Sequence, residues 1–171
     1  MADALIRPAR ASDAQAVRDI YASHVAGGTA TFDTVAPEAW AWAAKIVDFA
    51  ARGWPFLVAE RETQVVGYAY AARFRDRAAY AATCEDSIYI ADDARGLGIG
   101  TALMLALLAD ARTAGFEQMI AVIGGGEPAS VALHAKCGFV HAGRLRNVGY
   151  KFGRVLDTVY MQCDLTKQET D

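Results

Sequence analysis

The stretch SIYIADDARGLGIGTAL, residues 87–103, decides the fold. It begins as a short β-branched and aromatic run, as a buried strand does, and ends as the start of an apolar helical segment closed by Gly115. Between the two lie Gly96, Gly98 and Gly100, with Arg95 just ahead of them. Glycines let the backbone turn tightly and approach a ligand, while a helix start offers unpaired N–H groups and a positive dipole end. Strand, glycine loop and helix together suit a phosphate or pyrophosphate, and Arg95 adds a full positive charge; the plainer alternative is a tight strand-to-helix turn.

Two nucleotide motifs fail on spacing. A P-loop requires GxxxxGK[ST], and no lysine stands between Lys45 and Lys136. A dinucleotide fingerprint starting at Gly96 or Gly98 requires glycine at Thr101 or Leu103.

Outward from this stretch the pattern is mixed. A short strand in ALIRPA leads to a helix over SDAQAVRDIYASHV, with Ser12 or Asp13 as N-cap. PEAWAWAAKIVDFAARG reads as a second helix, Pro37 in its first turn and Gly53 as its cap. PFLVAER and QVVGYAYAARF form a hairpin across ETQ, QMIAVI is a strand, ASVALHAKCGF is a short helix, and two strands close the chain. The order β-α-α-β-β-β-α-β-α-β-β predicts an α/β fold, a mixed and largely antiparallel sheet flanked by helices.

The 171 residues suit one domain, with a core over about 4–165 and a polar tail, 166–171. A net charge of -3 gives no broad attraction for nucleic acid or an anionic membrane, so any anion site is local. No apolar run reaches the roughly 20 residues of a membrane span and no signal-peptide core is read at the N-terminus, so a cytoplasmic protein is expected. Cys84, Cys137 and Cys163 fit neither a disulfide framework nor a metal site, and no metal is expected.

Arg95 to Gly100 read R-x-x-G-x-G directly after a strand and into a helix. Here the chain resembles the GCN5-related N-acetyltransferases, whose coenzyme-A loop carries that pattern. ASVALHAKCGF downstream resembles the family's second cofactor segment. TATFDT, VGYAYA, CEDSIYI and VGYKFGRVLDTVYMQCDL are similar to the phosphinothricin and methionine sulfoximine acetyltransferase branch, over roughly residues 5–165. The resemblance implies a single such domain, with acetyl-CoA held where the SIYI and QMIAVI strands splay apart.

It also assigns residues. Ile88, Tyr89 and Ile90 match the pantetheine-binding edge, and Arg95, Gly96, Leu97, Gly98, Ile99, Gly100 and Thr101 the pyrophosphate loop. Ser130 matches the second segment, and Glu127 stands where relatives carry Asn. Glu85 matches the carboxylate proposed as general base, with Asp86 competing; an ammonium has no lone pair, so the acceptor amine must be deprotonated before attack. His134 stands where many relatives have a tyrosine acid and serves as acid or as part of the base system. A backbone N–H of Ile88 or Tyr89 is the expected oxyanion donor. The branch acts on small amino acids bearing a phosphinate, sulfoximine or sulfone group. Arg75 matches its substrate arginine; Arg73 and Arg77 lie at strand spacing from it, and Phe32, Phe74, Tyr80 and Lys151 are candidate pocket residues. The expected partner is an amino-acid-like small molecule, and relatives are homodimers. The helix with Trp40, Trp42 and Phe49 suits either such an interface or the core. An acetyltransferase for another small amine and a non-catalytic acyl-CoA sensor are the competing readings.

Overall fold

The computed structural model describes residues 4–167; residues 168–171 of the expected tail lie outside the described residues. The elements follow the expected order: β1 (Leu5–Pro8), α1 (Ala14–Gly27), α2 (Ala39–Arg52), β2 (Phe56–Arg61), β3 (Gln64–Arg73), β4 (Thr83–Ile90), α3 (Ile99–Thr113), β5 (Gln118–Gly124), α4 (Pro128–Lys136), β6 (Val140–Lys151) and β7 (Arg154–Asp164).

The seven strands form one sheet in the order β1-β2-β3-β4-β5-β7-β6. Neighbours are antiparallel except β4 and β5, which run parallel. Alternation along the strands sends side chains to two separate cores. Phe56, Val58 and Tyr68 pack with Val17, Ile20 and Tyr21 of α1 and Trp42, Ile46 and Phe49 of α2. Leu57, Ala59, Ala69, Ala71 and Cys84 pack on the other face against Leu103, Met104 and Leu107 of α3. Trp42 and Phe49 therefore belong to the core, while Trp40, on the outer face of α2, is 75% exposed.

Helix starts differ from the sequence reading in detail. Asp13 is the N-cap of α1, but its carboxylate accepts the Arg10 N–H and the Arg7 guanidinium rather than an N–H of the helix. Pro37 precedes α2, whose N-cap is Glu38; Gly53 ends that helix in the left-handed conformation (φ 68°), as expected.

One feature of the sheet creates the site. The β4–β5 ladder holds only three pairs, Thr83 with Gln118, Cys84 with Met119 and Glu85 with Ile120. Beyond them β4 stays on β3 as far as Ile90, and β5 stays on β7 as far as Gly124. The two edges part, and the backbone polar groups of β4 face a fork instead of a neighbour.

Candidate active site

Two cavities meet at this fork. The larger, about 1000 Å³, lies at the top of the range of roughly 300–1,000 Å³ usual for ligand pockets, so it suits a large ligand. Its floor is the glycine loop. Gly96 (φ 74°) and Gly98 (φ 83°) occupy left-handed conformations that side chains resist, and Gly98 is the N-cap of α3. The first helical N–H with an intrahelical partner is that of Ala102, bonded to the Gly98 carbonyl at 3.2 Å. The N–H groups of residues 99–101 are thus left for an anion. Gly100 of α3 faces Leu133 of α4, where a Cβ would make an ordinary contact at 3.4 Å.

Ile88, Tyr89, Ile90, Arg95, Gly96, Gly98, Gly100, Thr101, Glu127 and Ser130 all line this cavity. Leu97 and Ile99 do not: Leu97 points outward at 38% exposure, and Ile99 turns into the α3 core. The Arg95 guanidinium also binds Asp92 at 2.7 Å, which offsets part of its charge.

The ladder geometry decides which N–H groups of β4 face the fork. Ala91 N–H binds the Val66 carbonyl, so by alternation the odd-numbered residues of β4 direct N–H and C=O toward β3. The even-numbered ones turn into the fork. Of the two candidates, Ile88 therefore presents its N–H there and Tyr89 does not. The Ile90 carbonyl, turned the same way, accepts the Nε2–H of His24 at 2.9 Å. Burial holds His24 below the usual imidazole pKa and keeps it neutral. His24 is a wall residue that sequence offered no reason to select, because only the α1–β4 contact brings it here.

The smaller cavity, about 230 Å³, occupies the fork itself and is lined by Phe32, Glu85, Asp86, Ile88, Ser130 and His134, among others. Ala30, Ile88, Tyr89 and Ser130 border both cavities. Glu85 forms no hydrogen bond among the described residues. Burial pushes its pKa up and Asp86 adds to this, outweighing the opposing cations Arg75, at 4.0 Å, and Lys45. A carboxylate so placed is a stronger base than a free one.

Asp86 turns to the opposite face and pairs with His134, Oδ2 to Nε2 at 3.0 Å, both side chains no more than 3% exposed. The second nitrogen of His134, Nδ1, donates to the Ser130 carbonyl at 2.7 Å. Burial by itself lowers the His134 pKa, but the hydrogen bond and charge of Asp86, with the Ser130 carbonyl, outweigh it and leave the ring above its usual value. Asp86 is thus committed to His134, whereas Glu85 has no such partner.

Three expectations for the acceptor side change. β3 ends at Arg73, so Arg75 and Arg77 sit in the following connection and do not continue a strand face. Arg75 lies over the Phe74 ring at 4.0 Å and reaches Glu85, and Phe74 meets Tyr80 edge to face. None of Arg73, Arg75, Phe74 and Tyr80 lines the fork, though Phe32 does. Lys151 is buried behind the wall, where its ammonium donates to the carbonyls of Gly28 (2.8 Å) and Thr31 (2.9 Å). It pins residues 28–31, of which 28–30 line the larger cavity and 30–31 the smaller. Among the described residues no cluster of three or more His, Cys, Asp or Glu could hold a metal ion.

The chain is similar over most of its length to known acetyltransferases. The acetyltransferase (GNAT) family model matches residues 17–139. A phosphinothricin N-acetyltransferase of Alcaligenes faecalis is 48% identical over 96% of this chain and 84% of that one. An L-methionine sulfoximine/L-methionine sulfone acetyltransferase of Pseudomonas aeruginosa is 38% identical over 95% of each. The crystal structure of a phosphinothricin acetyltransferase from Sinorhizobium meliloti, in complex with acetyl-CoA, superposes with a TM-score of 0.93 at 41% identity, covering 100% of this chain and 95% of that one.

Proposed function

This chain belongs to the GNAT family of acetyltransferases, and from that premise we propose that it moves the acetyl group of acetyl-CoA to the α-amine of phosphinothricin, methionine sulfoximine or methionine sulfone. The observation that carries the reading is the fork. A large cavity with an anion-binding helix start opens, past Ile88 and Ser130, into a small cavity bordered by a carboxylate that burial strengthens as a base and that no hydrogen bond among the described residues engages. The relatives named for these acceptors match almost the whole chain.

The pyrophosphate of the donor rests on the N–H groups of residues 99–101, with Arg95 beside them. The pantetheine arm follows the open edge of β4. The thioester carbonyl then lies at the fork, where the Ile88 N–H stabilises the oxyanion that forms on attack. Glu85 takes the proton of the acceptor ammonium, directly or through one water, and transfer is direct within a ternary complex. Arg75, beside Glu85, holds the acceptor's carboxylate or its oxyanion group at the mouth.

The protein acts as a homodimer joined along the β6–β7 edge. Val140, Leu145, Val148 and Tyr150 of β6, with Phe152 in the turn after it and Val155 of β7, are exposed apolar side chains that a partner would cover. A cytoplasmic setting suits its three unpaired thiols.

The test is thiol release from acetyl-CoA over a panel of phosphinothricin, methionine sulfoximine, methionine sulfone, a polyamine and an aminoglycoside. We expect the highest kcat/KM with one of the first three. No turnover of those three would overturn the substrate assignment, and preference for a polyamine would replace it.

A further inference from the structure

Asp86, His134 and Ser130 form a chain of hydrogen bonds that crosses the junction of the two cavities. Besides the Asp86–His134 pair, Ser130 Oγ lies 3.4 Å from His134 Nδ1, the same nitrogen that donates to the Ser130 carbonyl. A carbonyl only accepts, so Nδ1 carries a proton and the Ser130 hydroxyl receives from the ring rather than giving to it. The hydroxyl's own proton is then free to point elsewhere, and among the described residues nothing accepts it. Ser130 is also the residue of α4 that lines both cavities. At the far end, Asp86 Oδ1 is buried without a hydrogen-bond partner, and among the described residues His134 makes the ion pair of that carboxylate. Both ring nitrogens thus face acceptors, which favours the imidazolium.

We propose that Ser130 donates the proton that the departing coenzyme-A sulfur requires, that His134 restores it, and that Asp86 keeps His134 charged. This rests on the acetyltransferase reading above. When the C–S bond of the tetrahedral adduct breaks, its electron pair stays on sulfur, which takes the proton from Ser130 Oγ. Oγ takes the Nδ1 proton of His134. His134, left neutral and still donating Nε2–H to Asp86, regains a proton from solvent after the products leave. Ser130 is the catalytic residue of this relay, while His134 and Asp86 act through it. His134 borders the smaller cavity, but both its ring nitrogens are held, Nε2 by Asp86 and Nδ1 by Ser130, so its proton leaves through Ser130.

The groups around the ring are few. Asp86 of β4 bonds it, and Phe139 packs on it edge to face at 4.9 Å. Cys84 and Glu85 of β4 and Cys163 of β7 feel the charge of Asp86, while Lys136 and Glu127 of the α4 segment border the donor cavity.

The experiment compares native protein with Ser130→Ala, Ser130→Thr and Asp86→Asn, all checked for native circular dichroism. Thiol release is followed with the best acceptor across pH on both sides of neutrality, and coenzyme-A affinity is measured by calorimetry. Ser130→Ala should lower kcat by about 10²-fold or more with coenzyme-A affinity unchanged, and Ser130→Thr should recover most of it. Asp86→Asn should move the basic limb of the pH profile to lower pH, because His134 loses the group that raises its pKa. If Ser130→Ala keeps kcat, or loses activity only through weaker coenzyme-A binding, the relay is overturned and Ser130 is a binding contact. An unmoved basic limb in Asp86→Asn overturns the part given to His134 and Asp86. A native protein that turns over no acceptor overturns the acetyltransferase reading and the relay together.

Discussion

Glu85 and Asp86 are adjacent in the chain, yet the pleat of β4 sends them to opposite faces, and their chemistry follows from that. Glu85, unbonded and partly buried, must be ionised to take a proton, and burial raises its pKa; kcat/KM should therefore rise with pH through a value above that of a free carboxylate. Glu85→Gln should cost about 10²-fold in kcat while calorimetry finds acetyl-CoA still bound. Arg75→Ala removes a cation that favours the ionised form and should shift this acid limb to higher pH, modestly because Arg75 is half exposed. His134 gives the opposite sign in stability. Its raised pKa stabilises the fold fully below the unfolded value of about 6.5, and that contribution fades as pH rises through the folded value. The native Tm should fall across that window, and Asp86→Asn should flatten the decline. The residue types at 85, 86 and 134 were legible in the sequence. Which carboxylate meets the histidine was not, since 48 residues separate Asp86 from His134 and only packing of α4 on β4 joins them.

The elements were legible wherever local pattern suffices. Apolar spacing marks α2 and α3, β-branched runs mark β2 to β5, and glycines close the helices. Where backbone geometry has a functional consequence, glycine is again informative: Gly98→Ala should destabilise by about 1–2 kcal/mol through its left-handed N-cap and should raise the KM for acetyl-CoA. Thermal melts and steady-state kinetics measure both. Gly149 marks a tertiary constraint that sequence does not display. A Cβ there would collide with the Phe32 ring, which lines the fork. Gly149→Ala should therefore raise the KM for the acceptor more than that for acetyl-CoA. The misread elements share a cause. Arg75 and Arg77 looked like a strand face because alternate spacing continues past Arg73, but the β3–β4 ladder stops there.

For the whole molecule, the exposed apolar side chains of β6 carry the proposed dimer. Such side chains on a long edge strand are a liability unless they are covered. Val148→Asp combined with Tyr150→Asp should convert a dimer to a monomer in sedimentation velocity, and a native protein that sediments as a monomer would overturn the dimer. Lys151 shows coupling at the same scale: it reaches across more than a hundred residues to hold the loop shared by both cavities. That role was invisible in the sequence, where the lysine looked like a substrate contact.

By itself the sequence determined the order of elements, the glycine loop with its free helix N–H groups, and the phosphate-binding chemistry these imply, because each depends on residues close together in the chain. Only the tertiary structure decided that β4 and β5 part after three pairs, that Ile88 rather than Tyr89 offers its N–H to the fork, and that Asp86 belongs to His134. These are relations between strand register, sheet face and distant helices, and no local periodicity encodes them.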